Sequence, residues 1–162
     1  MKKIRLKVAT IVKYEDKFLL IREKYWGGSD HKWNIGTGSY EANDGNIVNS
    51  SVREVREETG LDIKVIGLHK VVLAEKEDRV KFYFVFVADS FDDKVALPPK
   101  LAQDELGESI IDYKWSSKEE ILAMSDDEFV TSTIAEIIKD YLQSPEIFHT
   151  KIIEHLPVEV CY

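Results

Sequence analysis

The sequence predicts an α+β or layered α/β domain built around a mixed sheet. Three observations predict it. Ile4, Leu6, Val8, Thr10 and Val12 alternate with mostly charged residues, the period of a half-buried strand. A helical stretch over 47–59 interrupts the β-type sequence and ends at Gly60, a residue type favoured just past a helix end. After the last β-type segment, Val130, Ile134, Ile137, Ile138 and Tyr141 recur at helical spacing.

The elements follow in order. The opening alternation runs through Lys13, Tyr14 to Lys17 reads as a tight turn, and Phe18 to Arg22 as the returning strand. Gly27-Gly28-Ser29-Asp30 is a loop, Trp33 to Ile35 is short and extended, and a glycine-spaced loop through Gly36, Gly38 and Asn43-Asp44-Gly45-Asn46 leads into the 47–59 helix. Leu61 to Ala74 reads as β, Glu75 to Arg79 as a turn, and Val80 to Ala88 as a strong strand. Asp89 to Gly107 is expected to be a long polar loop around Pro98-Pro99. Ile110 to Trp115 is the last strand, and Ser116 with Glu119 would cap a helix reaching Met124. A second helix is expected over Asp127 to Leu142. Without repeats or low-complexity tracts, residues 1–162 read as one domain, with 145–162 its tail.

Composition narrows the function classes. A length of 162 residues suits one domain, and 44% hydrophobic with 32% charged residues suits a buried core under a solvated surface. The longest apolar run, Phe82 to Ala88, is far too short to cross a bilayer as a helix. Arg5, Lys7 and Lys13 break up the apolar segment that a signal peptide needs. The single cysteine, Cys161, has no internal partner, which points to the cytoplasm. A net charge of −8 argues against general nucleic-acid binding. The charge is uneven: residues 1–33 carry nine Lys/Arg and four Asp/Glu, net +5, so the remainder is −13.

The helix at 47–59 carries the chemistry. Val48, Val52, Val55 and Thr59 fall on one face and can pack on a sheet, while Glu54, Glu57 and Glu58 share another. Like charges at these spacings cost about 0.2–0.5 kcal/mol per pair. Arg53 and Arg56 offset part of that, and a hard cation such as Mg²⁺, which prefers carboxylate oxygens, would offset far more. Charge runs alone are more often solvated faces. Here Gly36-Thr37-Gly38-Ser39-Tyr40-Glu41 comes just before the helix, and glycines let a backbone approach a ligand closely. That context favours metal binding.

Together these residues resemble the Nudix hydrolase family. Its box, G-x5-E-x7-R-E-U-x-E-E-x-G-U with U a bulky aliphatic, is matched in its second half by Arg53-Glu54-Val55-Arg56-Glu57-Glu58-Thr59-Gly60-Leu61. Trp33, Ile35, Gly38 and Glu41 match the pattern upstream. The first half departs: Asp44 stands where the family has Glu, and eight residues rather than seven separate it from Arg53. Asp44 is expected to take over the bracing of Arg53.

The resemblance implies an α/β/α sandwich whose mixed sheet is flanked by the catalytic helix and C-terminal helices. It implies Mg²⁺-dependent hydrolysis, with Mn²⁺ as a substitute, of a diphosphate bond in a nucleotide or nucleoside diphosphate derivative. By position Glu54 and Glu58 are the principal metal ligands, and Glu57 is a further ligand or the residue that activates water. The carbonyl of Gly38 is an additional ligand, and Arg53 orients the carboxylates. Some members use a further Glu from the loop before the last core strand. Glu108, near Ile110, fits that place better than Glu105, although a plain solvated loop charge fits it as well.

For substrate contacts, Arg22 at the end of the second strand is a phosphate candidate. Lys7 and Lys24 read as ordinary exposed strand positions. Trp33 is the aromatic candidate for stacking on a base, with core or rim packing as its competing reading. His31, His69, His149 and His155 show no metal-ligand spacing. The stripe from Val130 to Tyr141 is core or a dimer face, so a homodimer is a further expectation. Features of the family's ADP-ribose, diadenosine polyphosphate and coenzyme A classes are missing, which leans towards a nucleoside di- or triphosphate. Two other readings compete: a catalytically silent nucleotide or ADP-ribose sensor on the same fold, and an isomerase of isoprenoid diphosphates. The intact box speaks against the first, and the terminal position of Cys161 against the second.

Overall fold

The computed structural model describes residues 2–24, 30–106 and 109–156. Glu108 and Cys161 lie outside them. Among the described residues seven strands, β1 (Lys3–Tyr14), β2 (Lys17–Lys24), β3 (His31–Asn34), β4 (Gly36–Ser39), β5 (Ile63–Glu75), β6 (Arg79–Ser90) and β7 (Ile110–Ser117), form one mixed sheet. Its main path is β3-β2-β1-β6-β5, with β4 on β1 and β7 on β2. β1 and β6 run parallel, from Lys3 opposite Arg79 to Lys13 opposite Asp89, and the other pairs are antiparallel.

β1 pairs with β2 only at the hairpin, Lys13 to Phe18 and Tyr14 to Lys17. Further along, its partner is β4, from Lys7 opposite Ser39 to Thr10 opposite Gly36. Beyond the hairpin the two halves of the sheet part, and β4 sets Gly38 against the Glu54 side chain and Gly36 against the Glu58 side chain.

Helices cover both faces. α1 (Ile47–Thr59) lies over Val12, Leu19, Ile21, Ile63 and Ala88, which pack with its Val55. On the opposite face α4 (Ser132–Gln143) buries Ile134, Ile137, Ile138 and Tyr141 against Ala9, Ile11, Leu20, Val85 and Val87. This is the expected α/β/α arrangement, and the α4 stripe is core rather than a dimer face. Among the described residues no helix is long and apolar enough to cross a membrane.

The 47–59 helix runs as its sequence predicts. Asn46 caps its start, its Oδ1 accepting from the Asn49 N–H at 2.9 Å, and Gly60 ends it at φ 71°.

Other expectations shift. The glycine loop at 36–38 is strand β4, whose side chains are too small to show a period. The 89–107 loop contains a short helix, α2 (Lys100–Leu106), anchored where the Gln103 side chain reaches the Pro98 carbonyl and accepts from the Ile110 N–H. The capping box falls one residue later than expected, on Ser117 and Glu120, and opens α3 (Lys118–Ala123). α4 starts at Ser132 under a Thr131 cap, because Asp126–Glu128 forms a separate 3-10 turn and buried Phe129 follows it. The first part of the tail is docked: Leu68 and Phe148 exchange two backbone hydrogen bonds, of 2.8 and 2.7 Å.

Candidate active site

Arg53 is the hub of the site. Its Nε and Nη2 donate to the two carboxylate oxygens of Asp44 at 2.8 and 3.1 Å, a paired geometry that suits guanidinium and carboxylate. Nη2 also donates to the Ser39 carbonyl at 2.9 Å. Nη1 donates to Glu57 Oε2 at 3.0 Å and lies 3.1 Å from Glu54 Oε1. One side chain thus ties α1, β4 and the loop between them. Asp44 takes the bracing role expected of it. Its Oδ2 also accepts from the Ser50 hydroxyl at 2.7 Å and the Glu41 N–H at 3.2 Å. These donors, Arg53 foremost, hold the Asp44 carboxyl down at about 2. Asp44 first, then Glu54 and Glu57, push the Arg53 pKa further up. The extra loop residue is absorbed by a 3-10 turn at Ala42–Asp44 and by Gly45 at φ 77°.

The glutamates are not the solvated stripe that helical spacing suggests. Glu54 and Glu58 are only 7% and 3% exposed and flank buried Val55, whereas Val48 and Val52 are only half-buried. The inward face of α1 is therefore turned towards its acids. β4 makes this possible. A Cβ on Gly38 would sit 1.7 Å from the Glu54 carboxyl carbon, and one on Gly36 would sit 3.3 Å from Glu58 Oε2. The Ser39 N–H donates to Glu54 Oε1 at 3.0 Å. Burial raises the Glu54 pKa, opposed by Arg53 and the Ser39 N–H. Glu57 stays half-buried and turned to Arg53.

Sequence reasoning passed over three neighbours. Lys7 Nζ donates to Ser39 Oγ at 3.1 Å; burial lowers its pKa, and Glu54 and Glu58 oppose the shift. Glu23 on β2 accepts from Asn34 Nδ2 at 2.9 Å, and its burial raises its pKa against that bond and the nearby Lys7. Buried Asn34 also donates to Thr37 Oγ1 at 3.1 Å. Alternation marked Lys7 as an exposed strand position. Only its pairing with β4 turns it into the site, and nothing local in the sequence signals that pairing.

Arg22 and Trp33 stand apart from the glutamates. They share a shallow cleft with Asp30, His31, Lys32, Asp127 and Glu128. The Trp33 ring has the Arg22 guanidinium 5.8 Å and Lys114 Nζ 4.3 Å from its centre, so cations already occupy its surroundings.

The donor set suits a hard divalent cation. Two buried carboxylates, Glu54 and Glu58, sit one turn apart against the two glycines of β4, with Glu57 beside them. Among the described residues no three acidic, His or Cys side chains already converge on one point.

Known proteins share this fold. The NUDIX domain model matches residues 3–138. No curated protein sequence matches the chain. A NUDIX hydrolase from Nitrosomonas europaea superposes with a TM-score of 0.75 at 24% identity, covering 95% of this chain and 98% of that one. The MutT protein from Methanosarcina mazei Go1 gives 0.69 at 21% identity, covering 90% and 97%. An Ap4A hydrolase from C. elegans gives 0.59 at 16% identity, covering 86% and 93%. With the domain match spanning most of its length and the carboxylate helix seated on its glycine strand, the chain belongs to the Nudix family and is a Nudix hydrolase.

Proposed function

We propose that the protein hydrolyses a diphosphate bond in a nucleotide or nucleoside diphosphate derivative, with Mg²⁺, or Mn²⁺ in its place, as the required ion. The observation that carries this is the burial of Glu54 and Glu58 side by side against β4, where burial works against the charge of Glu54. Carboxylates kept in such a place are stabilised by a cation. Bound there, Mg²⁺ would neutralise diphosphate oxygens and lower the pKa of a coordinated water.

The chain's own residues supply the rest. Glu54 and Glu58 would hold the ion, with the Gly38 carbonyl as an added ligand. Arg53 fixes the direction of Glu54 and Glu57. Glu57 takes the proton of the attacking water or adds a ligand, and Glu108 is a further acid for either task. Water attacks in line at phosphorus. Arg22 and Trp33 are assigned to the distal part of the substrate. The reading includes one domain over 1–162 with a 145–162 tail, a cytoplasmic location, and no membrane or general nucleic-acid partner; the stripe that raised a homodimer is the buried face of α4 and does not argue for one.

The test is product release from a panel of nucleotides and nucleoside diphosphate derivatives, with and without Mg²⁺. Glu54→Gln and Glu58→Gln are each expected to lower Mg²⁺-dependent turnover by about 10²-fold or more while leaving the circular dichroism unchanged. Near-normal turnover in either variant removes the metal assignment. Tight binding of one nucleotide without any release supports the silent-sensor reading instead.

A further inference from the structure

The sheet face under α4 continues beyond that helix as a row of cations. On the parallel β1–β6 ladder Arg5 lies opposite Lys81 and Lys7 opposite Tyr83. In the same columns Ala9 and Val85 are buried with α4 residues, so Arg5, Lys7, Lys81 and Tyr83 stand on the α4 side. β5 completes the floor with Ala74 beside Lys81 and Val72 beside Tyr83.

The row begins at the carboxylates. Ser39 donates its N–H to Glu54 and accepts the Lys7 ammonium at its hydroxyl, and Arg5 and Lys81 lie one step further along. Neighbouring strands are about 4.8 Å apart and alternate residues on one strand about 6.5 Å apart, so all three cations reach one short anionic chain.

Of these cations, Lys7 has Glu54, Glu58 and Glu23 nearby, whereas Arg5 and Lys81 have no counterion among the described residues. Among the described residues no hydrogen bond or ion pair holds Arg5 or Lys81. The Lys81 ammonium is pushed towards its neutral form, by burial first and then by Lys7, Arg79, Lys76 and Arg5. A protein of net charge −8 that gathers like cations beside its acidic centre gains most from an anion laid across them.

We propose that Arg5 and Lys81, joined to the glutamates through Lys7, form a subsite for a further phosphate of the substrate. The preferred substrate then carries a tri- or longer polyphosphate, rather than a diphosphate joining two uncharged groups. The subsite rests on the diphosphatase reading above for its use, though not for its existence.

Two measurements test it. The first is binding of inorganic pyrophosphate and tripolyphosphate in EDTA, to wild type, to Arg5→Ala/Lys81→Ala and to the charge-keeping Arg5→Lys/Lys81→Arg. Tripolyphosphate is expected to bind wild type and the charge-keeping variant about tenfold more tightly than pyrophosphate, and the alanine pair is expected to lose that margin. The second is the kcat/KM ratio, with Mg²⁺, of a nucleoside triphosphate to a nucleoside diphosphate sugar. That ratio is expected to fall about tenfold in the alanine pair. Lys81→Gln alone, expected to move both readouts in the same direction, serves if the alanine pair does not fold. An unchanged tripolyphosphate margin, or an unchanged ratio in an active enzyme, overturns the subsite and leaves the diphosphatase standing. Loss of the margin in a protein that cleaves none of the panel upholds the subsite and overturns the diphosphatase.

Discussion

Gly38 and Glu54 compete for one volume. A methyl group at 38 would overlap the Glu54 carboxyl, so Gly38→Ala must expel that side chain from its seat. We expect about 10²-fold less Mg²⁺-dependent turnover and about 1–3 kcal/mol lower stability, read from kcat and urea unfolding. Asp44 is the other residue whose role is geometric. Its side chain is 7% exposed beneath Arg53, and its pKa falls from 3.8 to about 2. A depressed carboxyl stabilises the fold above its unfolded pKa and loses that contribution as pH falls through the folded one. Asp44→Asn is therefore expected to cost on the order of 1–2 kcal/mol at neutral pH, a gap that narrows below about pH 4 and closes near pH 2. Denaturation of both proteins across that range checks it, and a gap that persists at low pH counts against the Arg53 contact as its source.

At the scale of elements, α1 shows why its limits were legible and its buried face was not. Asn46 and Gly60 are local signals with local partners, so the sequence marks both ends. Asn46→Ala is expected to cost about 1 kcal/mol, seen as a lower urea midpoint with unchanged slope. The buried face depends on what lies opposite, and β4 offers space for carboxylates rather than for valines. Ser51 confirms that polar character, its hydroxyl 2.6 Å from the buried Thr10 hydroxyl. The β1–β2 turn is imperfect in a testable way. Glu15 adopts φ 53°, a region that Asn and Gly tolerate better. Glu15→Asn is expected to raise stability by about 0.5 kcal/mol without altering activity.

For the molecule as a whole, the tail is part of the folded unit at least as far as β5. A Cβ on Gly67 would lie 2.8 Å from the Phe148 carbonyl oxygen, so Gly67→Ala is expected to displace residues 147–148. Hydrogen exchange at Leu68 and Phe148 should then quicken while turnover persists; unchanged exchange would show that the tail tolerates the methyl. The sequence by itself determined the α+β class, the limits of α1, the order of the long strands and the identity of the glutamates. All of these depend on contacts within a few residues or on period-two and helical patterns. The tertiary structure decided the rest. It made Gly36–Ser39 a strand, turned Glu54 and Glu58 inward, brought Lys7 beside them and set Arg22 and Trp33 apart. Each of these follows from pairing between β1 and β4, or from helix packing, across tens of residues. No local pattern records such pairings, because their energy exists only once both partners are in place.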